Sequence, residues 1–246
     1  MFTKEEQKKL TELTNSNDDF AYFFNKTIKE CKLLTSQISH EIRNPLTLIK
    51  STAQLIETVH PEVRTFKYWG QLTEDINGLE TLLTEVSKFN HSEAIAVQKQ
   101  DFLLLLKSVL STFRPLAEQN GIDLSLTIAE ADTPYYASYP LDRVKINQVF
   151  TNLIRNAFEA TDRGCYINIV CKVAPSHLII EVQNNGNMIP ADELPTIFNP
   201  FVTCKPGGSG LGLAISSNII AAHNGTIEAT SSEEKTSFII LLPLFE

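Results

Sequence analysis

From Trp69 the chain places apolar residues at Leu72, Ile76, Leu79, Leu83 and Val86, spaced 3, 4, 3, 4 and 3. A stripe with that period lies along one side of a helix and demands a packing partner. Upstream, Leu34, Ile38, Ile42, Ile49 and Ile56 recur at multiples of about three and four, which predicts a helix over about 20–58. His60-Pro61 ends it. Two helices joined by so short a turn cannot bury two such stripes alone. A second copy of the hairpin would complete a four-helix bundle, so the expected assembly is a homodimer. The alternative is a hairpin packed onto the remainder of its own chain.

Beyond residues 89–93 the pattern changes from long helices to short alternating elements. The expected order is a strand near 97–102, a helix to about 120, a strand over 122–128 and a helix over about 141–161. Strands near 166–173 and 178–183 precede a loop rich in Gly and Pro, 184–210. A helix over about 211–223 and strands over 226–230 and 237–242 complete the chain. The implied fold is a helical hairpin of a dimeric four-helix bundle, followed by an α/β sandwich in which helices cover a mixed sheet. The expected divisions are a polar segment 1–19, a helical domain 20–92 and an α/β domain 93–246.

Composition removes several function classes. The net charge is −8 and no block of like charges occurs, so no nucleic-acid surface is expected. Four scattered cysteines, Cys31, Cys165, Cys171 and Cys204, form no CxxC pair and read as reduced thiols rather than a zinc site. The polar start, Met1-Phe2-Thr3-Lys4-Glu5-Glu6, lacks the apolar stretch of a signal peptide. No apolar run approaches the roughly 18 residues of a membrane helix, so a cytoplasmic location with no membrane segment is expected. The chain has room for no input domain, and is expected to be either a soluble, sensor-poor protein or a fragment.

Three segments carry chemistry. The first is Ser39-His40-Glu41-Ile42-Arg43-Asn44-Pro45-Leu46, on the first long helix. Imidazole is a competent nucleophile near neutral pH, and an adjacent carboxylate can orient the ring and stabilise charge that develops on attack. Pro45 removes a helical hydrogen bond about one turn past His40. His60, His91, His177 and His223 sit at turns or helix ends and read as ordinary structural or surface residues. The second segment is Gln148 to Ala160, where Asn152 and Asn156 lie four apart on one helical face. The third is Gly207-Gly208-Ser209-Gly210-Leu211-Gly212-Leu213 at a helix start, where glycines let backbone N–H groups approach a phosphate.

In this order the segments resemble the catalytic core of a two-component sensor histidine kinase, over roughly residues 30–245. The resemblance implies a dimerisation and phosphoacceptor domain at 20–92 and an ATP-binding domain of the Bergerat type at 93–246. It implies ATP-dependent phosphorylation of His40, with Glu41 beside it, and transfer to an aspartate of a response regulator receiver domain. Asn44 is implied as a residue that positions water for phosphatase activity. The segment at 148–160 resembles the family's N box, with Asn152 and Asn156 as nucleotide-site residues and Asn156 as the Mg²⁺ ligand. Gly208, Gly210, Leu211 and Gly212 resemble the second glycine box, with Lys205 as a phosphate contact. The first glycine box departs from the family pattern D-x-G-x-G. Here it reads Asn184-Asn185-Gly186-Asn187-Met188, so a neutral amide stands where the family's aspartate accepts the adenine amino group. Two classes therefore stay open: an ATP-dependent histidine kinase, and an ATP-independent dimeric module that binds regulators and moves or removes phosphate. An ATPase of the gyrase or mismatch-repair type ranks last, since it leaves the His40 helix unexplained.

Overall fold

The computed structural model describes residues 9, 13, 14, 16–203, 205 and 208–244, with only the backbone of Asn25. Much of the polar segment 1–19, together with Cys204 and Gly207, lies outside the described residues. The chain divides between Asn90 and His91 into two compact units.

The first unit is a helical hairpin. Helix α1 (Asp18–Val59) starts at Asn17, whose side chain accepts the Phe20 N–H at 2.9 Å. Asp18 and Asp19 in its first turn complement the helix dipole. The helix continues through Pro45, which has no N–H and so leaves the Glu41 carbonyl without its helical donor. A 3₁₀ turn, Pro61–Thr65, leads into α2 (Trp69–Asn90). Leu46, Ala53 and Ile76 form the core between the helices, and Trp69 and Leu83 pack against it. Three polar contacts fix the register: Trp69 Nε1 donates to Glu57 at 2.7 Å, Arg43 Nη2 to the Leu83 carbonyl at 3.3 Å, and Lys50 pairs with Glu80.

The apolar stripe of α2 is split. Trp69, Ile76 and Leu83, seven residues apart, turn toward α1, whereas Leu72 and Leu79 are 46% and 53% exposed. The expectation that a hairpin cannot bury two such stripes alone therefore holds for only half of each heptad of α2, since the other half closes the hairpin itself. On α1 the expected face behaves differently. Leu34, Ile38, Ile42, Ile49 and Ile56 are all exposed, and the inward positions are instead Leu46 and Ala53.

In the second unit β1 (Gln98–Gln100) leads into α3 (Phe102–Asn120), which Asp101 caps and Gly121 ends in the left-handed conformation. Strand β2 (Asp123–Ile128) follows, then a 3₁₀ turn (Glu130–Asp132), a short α4 (Thr133–Ala137) and β3 (Tyr139–Leu141). Helix α5 (Arg143–Ala160), β4 (Tyr166–Val173), β5 (His177–Asn184), α6 (Gly212–Ala222), β6 (Thr226–Ser231) and β7 (Thr236–Pro243) complete it. The main sheet has the order β2-β4-β5-β7-β6, parallel only between β2 and β4. Alternate residues of β5, from Leu178 through Ile180 and Val182 to Asn184, are buried on one side. Against that side lie the apolar residues of α5: Ile146, Val149, Phe150, Leu153, Ile154 and Ala157.

Helix α4 and strand β3 are not among the elements expected from the sequence. Neither has a period to detect, and both are held by tertiary contacts. Tyr136 is fully buried, and its hydroxyl, at 2.8 Å and 3.1 Å, faces the carbonyls of Lys172 and Ile179 on neighbouring strands. β3 pairs antiparallel with β1 in a separate two-stranded sheet.

One buried carboxylate joins three segments. Asp142 accepts N–H groups from Val144 and Lys145 at the start of α5, and from Ala96 ahead of β1. Its own N–H donates to His223 Nε2 at 2.9 Å, so the His223 proton sits on Nδ1, where it meets the Ile219 carbonyl at 2.7 Å. Burial opposes the charge on Asp142, but the donors of Ala96, Lys145 and Val144 outweigh it and hold the carboxyl below its ordinary range. A carboxyl depressed on folding contributes stability above its unfolded pKa and loses it as pH falls through the folded value. We predict that Asp142→Asn lowers the unfolding free energy at neutral pH by about 1–2 kcal/mol. In urea titrations the gap between the two proteins should close as pH drops below the ordinary aspartate range. A gap independent of pH would show that the charge is not what matters.

Candidate active site

In the hairpin unit, residues 39–46 separate into two sets. Ser39 is buried and donates to the Thr35 carbonyl, Arg43 reaches the Leu83 carbonyl, and Leu46 belongs to the core. These three lock the helix. His40, Glu41 and Asn44 are all exposed, and among the described residues none of their side chains has a hydrogen bond or ion pair. His40 and Asn44 are four apart and share a face, whereas Glu41 projects about 100° further round.

In the second unit the site grows from α5. Its buried apolar face fixes the helix rotation, which puts Lys145, Asn152, Asn156 and Glu159 on one polar stripe. Three of the four are engaged. Lys145 Nζ donates to the His91 carbonyl at 2.6 Å, Asn152 Nδ2 to Ser216 Oγ at 3.1 Å, and Glu159 pairs with Lys205. Asn156, between the last two, is half-buried and has no hydrogen-bond partner among the described residues. Asn152, Asn156 and Lys205 are expected here from the sequence, whereas Ser216 and Glu159 are added by the structure. Glu159 was detectable, since it continues the spacing of Asn152 and Asn156 along the same face.

The glycines are required by close approach. A Cβ on Gly212 would lie 2.4 Å from Asn152 Oδ1, so the first turn of α6 sits against that carboxamide. Gly210 has φ of 68° and closes a loop in which the Phe201 N–H donates to the Gly210 carbonyl at 3.0 Å. Phe201 itself has φ of 64° and is exposed, while Leu211 is fully buried. Ser209 Oγ accepts the Leu211 N–H, and Thr203 Oγ1 would be 2.6 Å from a Cβ on Gly208. The α6 N-terminus thus projects unpaired backbone N–H groups from a fixed base, the arrangement that accepts phosphate.

At the end of β5, Asn184 is 2% exposed and its Nδ2 has no acceptor among the described residues. Asn185 Oδ1 accepts the Tyr166 N–H at 2.7 Å, and the Asn187 N–H donates to the Ala160 carbonyl at 2.7 Å. A Cβ on Gly186 would fall 2.0 Å from that carbonyl, so only glycine lets the loop hug the end of α5. Met188 is exposed. The structure therefore brings Asn152, Asn156, Lys205, Gly208, Gly210, Leu211 and Gly212 to the polar edge of α5. The loop that opens with Asn184 and Gly186 meets the C-terminal end of the same helix.

A hairpin with a free histidine, followed by a helix-covered mixed sheet with a glycine-rich loop, defines a class of phosphotransfer proteins with an appended ATPase-type domain. Comparison with known proteins narrows this. Residues 32–94 match the His Kinase A (phospho-acceptor) domain, and residues 141–246 match the histidine kinase-, DNA gyrase B-, and HSP90-like ATPase. The sensory histidine kinase/phosphatase NtrB of Rhizobium meliloti (strain 1021) is 32% identical over 227 residues, covering 85% of this chain and 58% of that protein. The solved catalytic domain of histidine kinase ThkA is 31% identical, covering 61% of this chain and 99% of that one, with a TM-score of 0.55. Histidine kinase ThkA in complex with response regulator protein TrrA is 26% identical, covering 96% of this chain and 66% of that one, with a TM-score of 0.62. The chain belongs to the histidine kinase family and carries the catalytic core of a two-component sensor kinase. It spans about half the length of the curated relatives it matches. No helix among the described residues is long and apolar enough to cross a membrane.

The contact between α5 and α6 is open to a direct test. Gly212→Ala should destabilise the fold by about 1–2 kcal/mol in urea titrations, because its methyl meets the Asn152 amide. In the background of Asn152→Ala the same change should cost less than half as much. Equal costs in both backgrounds would mean that Asn152 does not set the glycine requirement.

Proposed function

We propose that the protein is an ATP-dependent histidine kinase that phosphorylates His40 and passes the phosphoryl group to an aspartate of a response regulator receiver domain. Residues 20–92 would be the dimerisation and phosphoacceptor domain, and residues 93–246 the ATP-binding domain. The observation that carries this reading is the division within residues 39–46: His40, Glu41 and Asn44 have no partner among the described residues, whereas Ser39, Arg43 and Leu46 hold the helix in place. A ring nitrogen of His40 attacks the γ-phosphorus, the bond from that phosphorus to the bridging oxygen breaks, and ADP leaves with the electron pair. The ring loses its proton, and Glu41 offers a carboxylate to take it or to steady the charge on the ring.

At the nucleotide site Asn156 is the residue suited to hold Mg²⁺, through a carboxamide oxygen that nothing else claims. Bound there, the ion would offset charge on the phosphates as they rearrange. Asn152 acts as a positioning residue, since its amide is already committed to Ser216. Lys205, held by Glu159, and the backbone of residues 208–212 are suited to the phosphates. Asn44, one turn beyond His40, could orient water against the regulator's phosphoaspartate and so supply phosphatase activity.

The assembly follows from the exposed residues of the hairpin. Ile38, Ile42, Ile49, Leu72 and Leu79 each stand between 46% and 56% exposed. A second hairpin would bury them in a four-helix bundle, which favours a homodimer. A second reading, an ATP-independent phosphotransfer or phosphatase module, draws support from the buried amide at Asn184, which leaves a donor unmet.

One experiment separates these readings and a second tests the assembly that both require. With γ-labelled ATP and Mg²⁺ the protein should acquire acid-labile, base-stable label that His40→Gln abolishes and Asn156→Ala reduces at least tenfold. Label that survives His40→Gln would remove the phosphoacceptor assignment. Sedimentation should report a dimer, and Leu72→Glu with Leu79→Glu should shift it to monomer. A parent protein that is monomeric at micromolar concentration would contradict the bundle.

A further inference from the structure

Asn184 ends β5 in the same core-facing row as Leu178, Ile180 and Val182, a place where the rest of the strand carries only hydrocarbon. Its cross-strand neighbours are Ile167 and Thr236. Ile167 offers no acceptor. The Thr236 hydroxyl is engaged with Ser231 Oγ at 2.6 Å, and that oxygen also receives the Ile189 N–H at 2.9 Å. Asn184 Nδ2 is wholly buried and has no partner among the described residues.

The backbone is not free to relieve this. Asn185 is tied to the Tyr166 N–H, Asn187 to the Ala160 carbonyl, and Gly186 is pressed against that same carbonyl. The strand end is anchored immediately after Asn184. No side chain or backbone carbonyl among the described residues accepts from Nδ2, so a bound ligand or an ordered water supplies the acceptor.

An amide, unlike a carboxylate, can turn over about its last bond and exchange donor for acceptor. If it presents Oδ1 to a ligand, as an amino group requires, the N–H stays buried and unmet. If it presents Nδ2, the N–H is used, and the carbonyl oxygen turns inward. A buried oxygen without a partner is tolerated better than a buried N–H without one. The fold therefore favours a ligand that offers an acceptor to Asn184. At the 6-position of a purine that group is a carbonyl, not an amine.

Resting on the reading of this loop as the base site of a nucleoside triphosphate, we propose that the protein accepts 6-oxopurine triphosphates at least as well as ATP. Asn184 is the residue that sets this base tolerance. The chemistry is unchanged: the same γ-phosphoryl bond breaks, and the 6-oxopurine diphosphate leaves in place of ADP.

The test uses the full chain with Mg²⁺ and compares binding of ATP, ITP and GTP by calorimetry. ITP is the decisive probe, because it exchanges the acceptor N1 and 6-amino group of adenine for N1–H and a 6-oxygen without adding the 2-amino group of guanine. The expected result is that ITP binds as tightly as ATP or tighter. Asn184→Asp should then shift the ratio toward ATP on the order of tenfold or more, since a carboxylate repels the 6-oxygen and accepts only donors. Tenfold tighter binding of ATP than ITP by the parent protein would overturn the proposal while leaving the nucleotide site intact. A ratio unchanged in a folded Asn184→Asp protein would equally remove Asn184 as the determinant. Should Asn184→Asp not fold, the parent ratio alone decides. Failure of all three nucleotides to bind the parent and the variant would instead defeat the nucleotide-site reading itself.

Discussion

Burial of one face of α5 against the sheet is the constraint on which the second unit depends. Ile146, Val149, Phe150, Leu153, Ile154 and Ala157 are almost completely withdrawn from solvent. At about 25 cal/mol per Å² of apolar area, a rotation that exposed even two of them would cost several kcal/mol. The helix is consequently locked about its axis, and its polar stripe has one direction in which to point. Lys145 fastens the chain that enters the unit, Asn152 fastens α6, and Glu159 fastens Lys205. Asn156 is left over, and a polar group left over in an otherwise saturated row is where a ligand can act.

The same division between held and free groups recurs in the hairpin. Ser39, Arg43 and Leu46 are spent on holding α1 in register, and His40, Glu41 and Asn44 are not. A helix suits this purpose because its period lets neighbouring residues serve opposite needs. Asp142 and His223 supply a third instance, in which a buried polar pair is fully satisfied and so has structure, not chemistry, as its role.

Much of this was legible in the sequence, for identifiable reasons. The helix α1 was readable from its apolar recurrence, and β4 because eight residues alternate with a period of two. The stripe on α5 was partly readable, since Asn152 and Asn156 stand four apart. What was not legible came from tertiary contacts. The split of the α2 stripe depends on which side α1 approaches, and β3 exists because β1 lies beside it. The orphaned amide of Asn184 was visible in the sequence only as a substitution in a glycine box. Its consequence depends on the burial of the strand end and on what Thr236 has already bonded.

On the proposed reading, α5 offers Asn156 to the nucleotide and keeps Asn152 for the fold. Side-chain amide resonances of the two residues, followed by NMR as a non-hydrolysable ATP analogue and Mg²⁺ are added, test this most directly. The Asn156 resonances should shift with the titration while those of Asn152 keep their position and remain protected from exchange. Movement of Asn152 with Asn156 unaffected would contradict it.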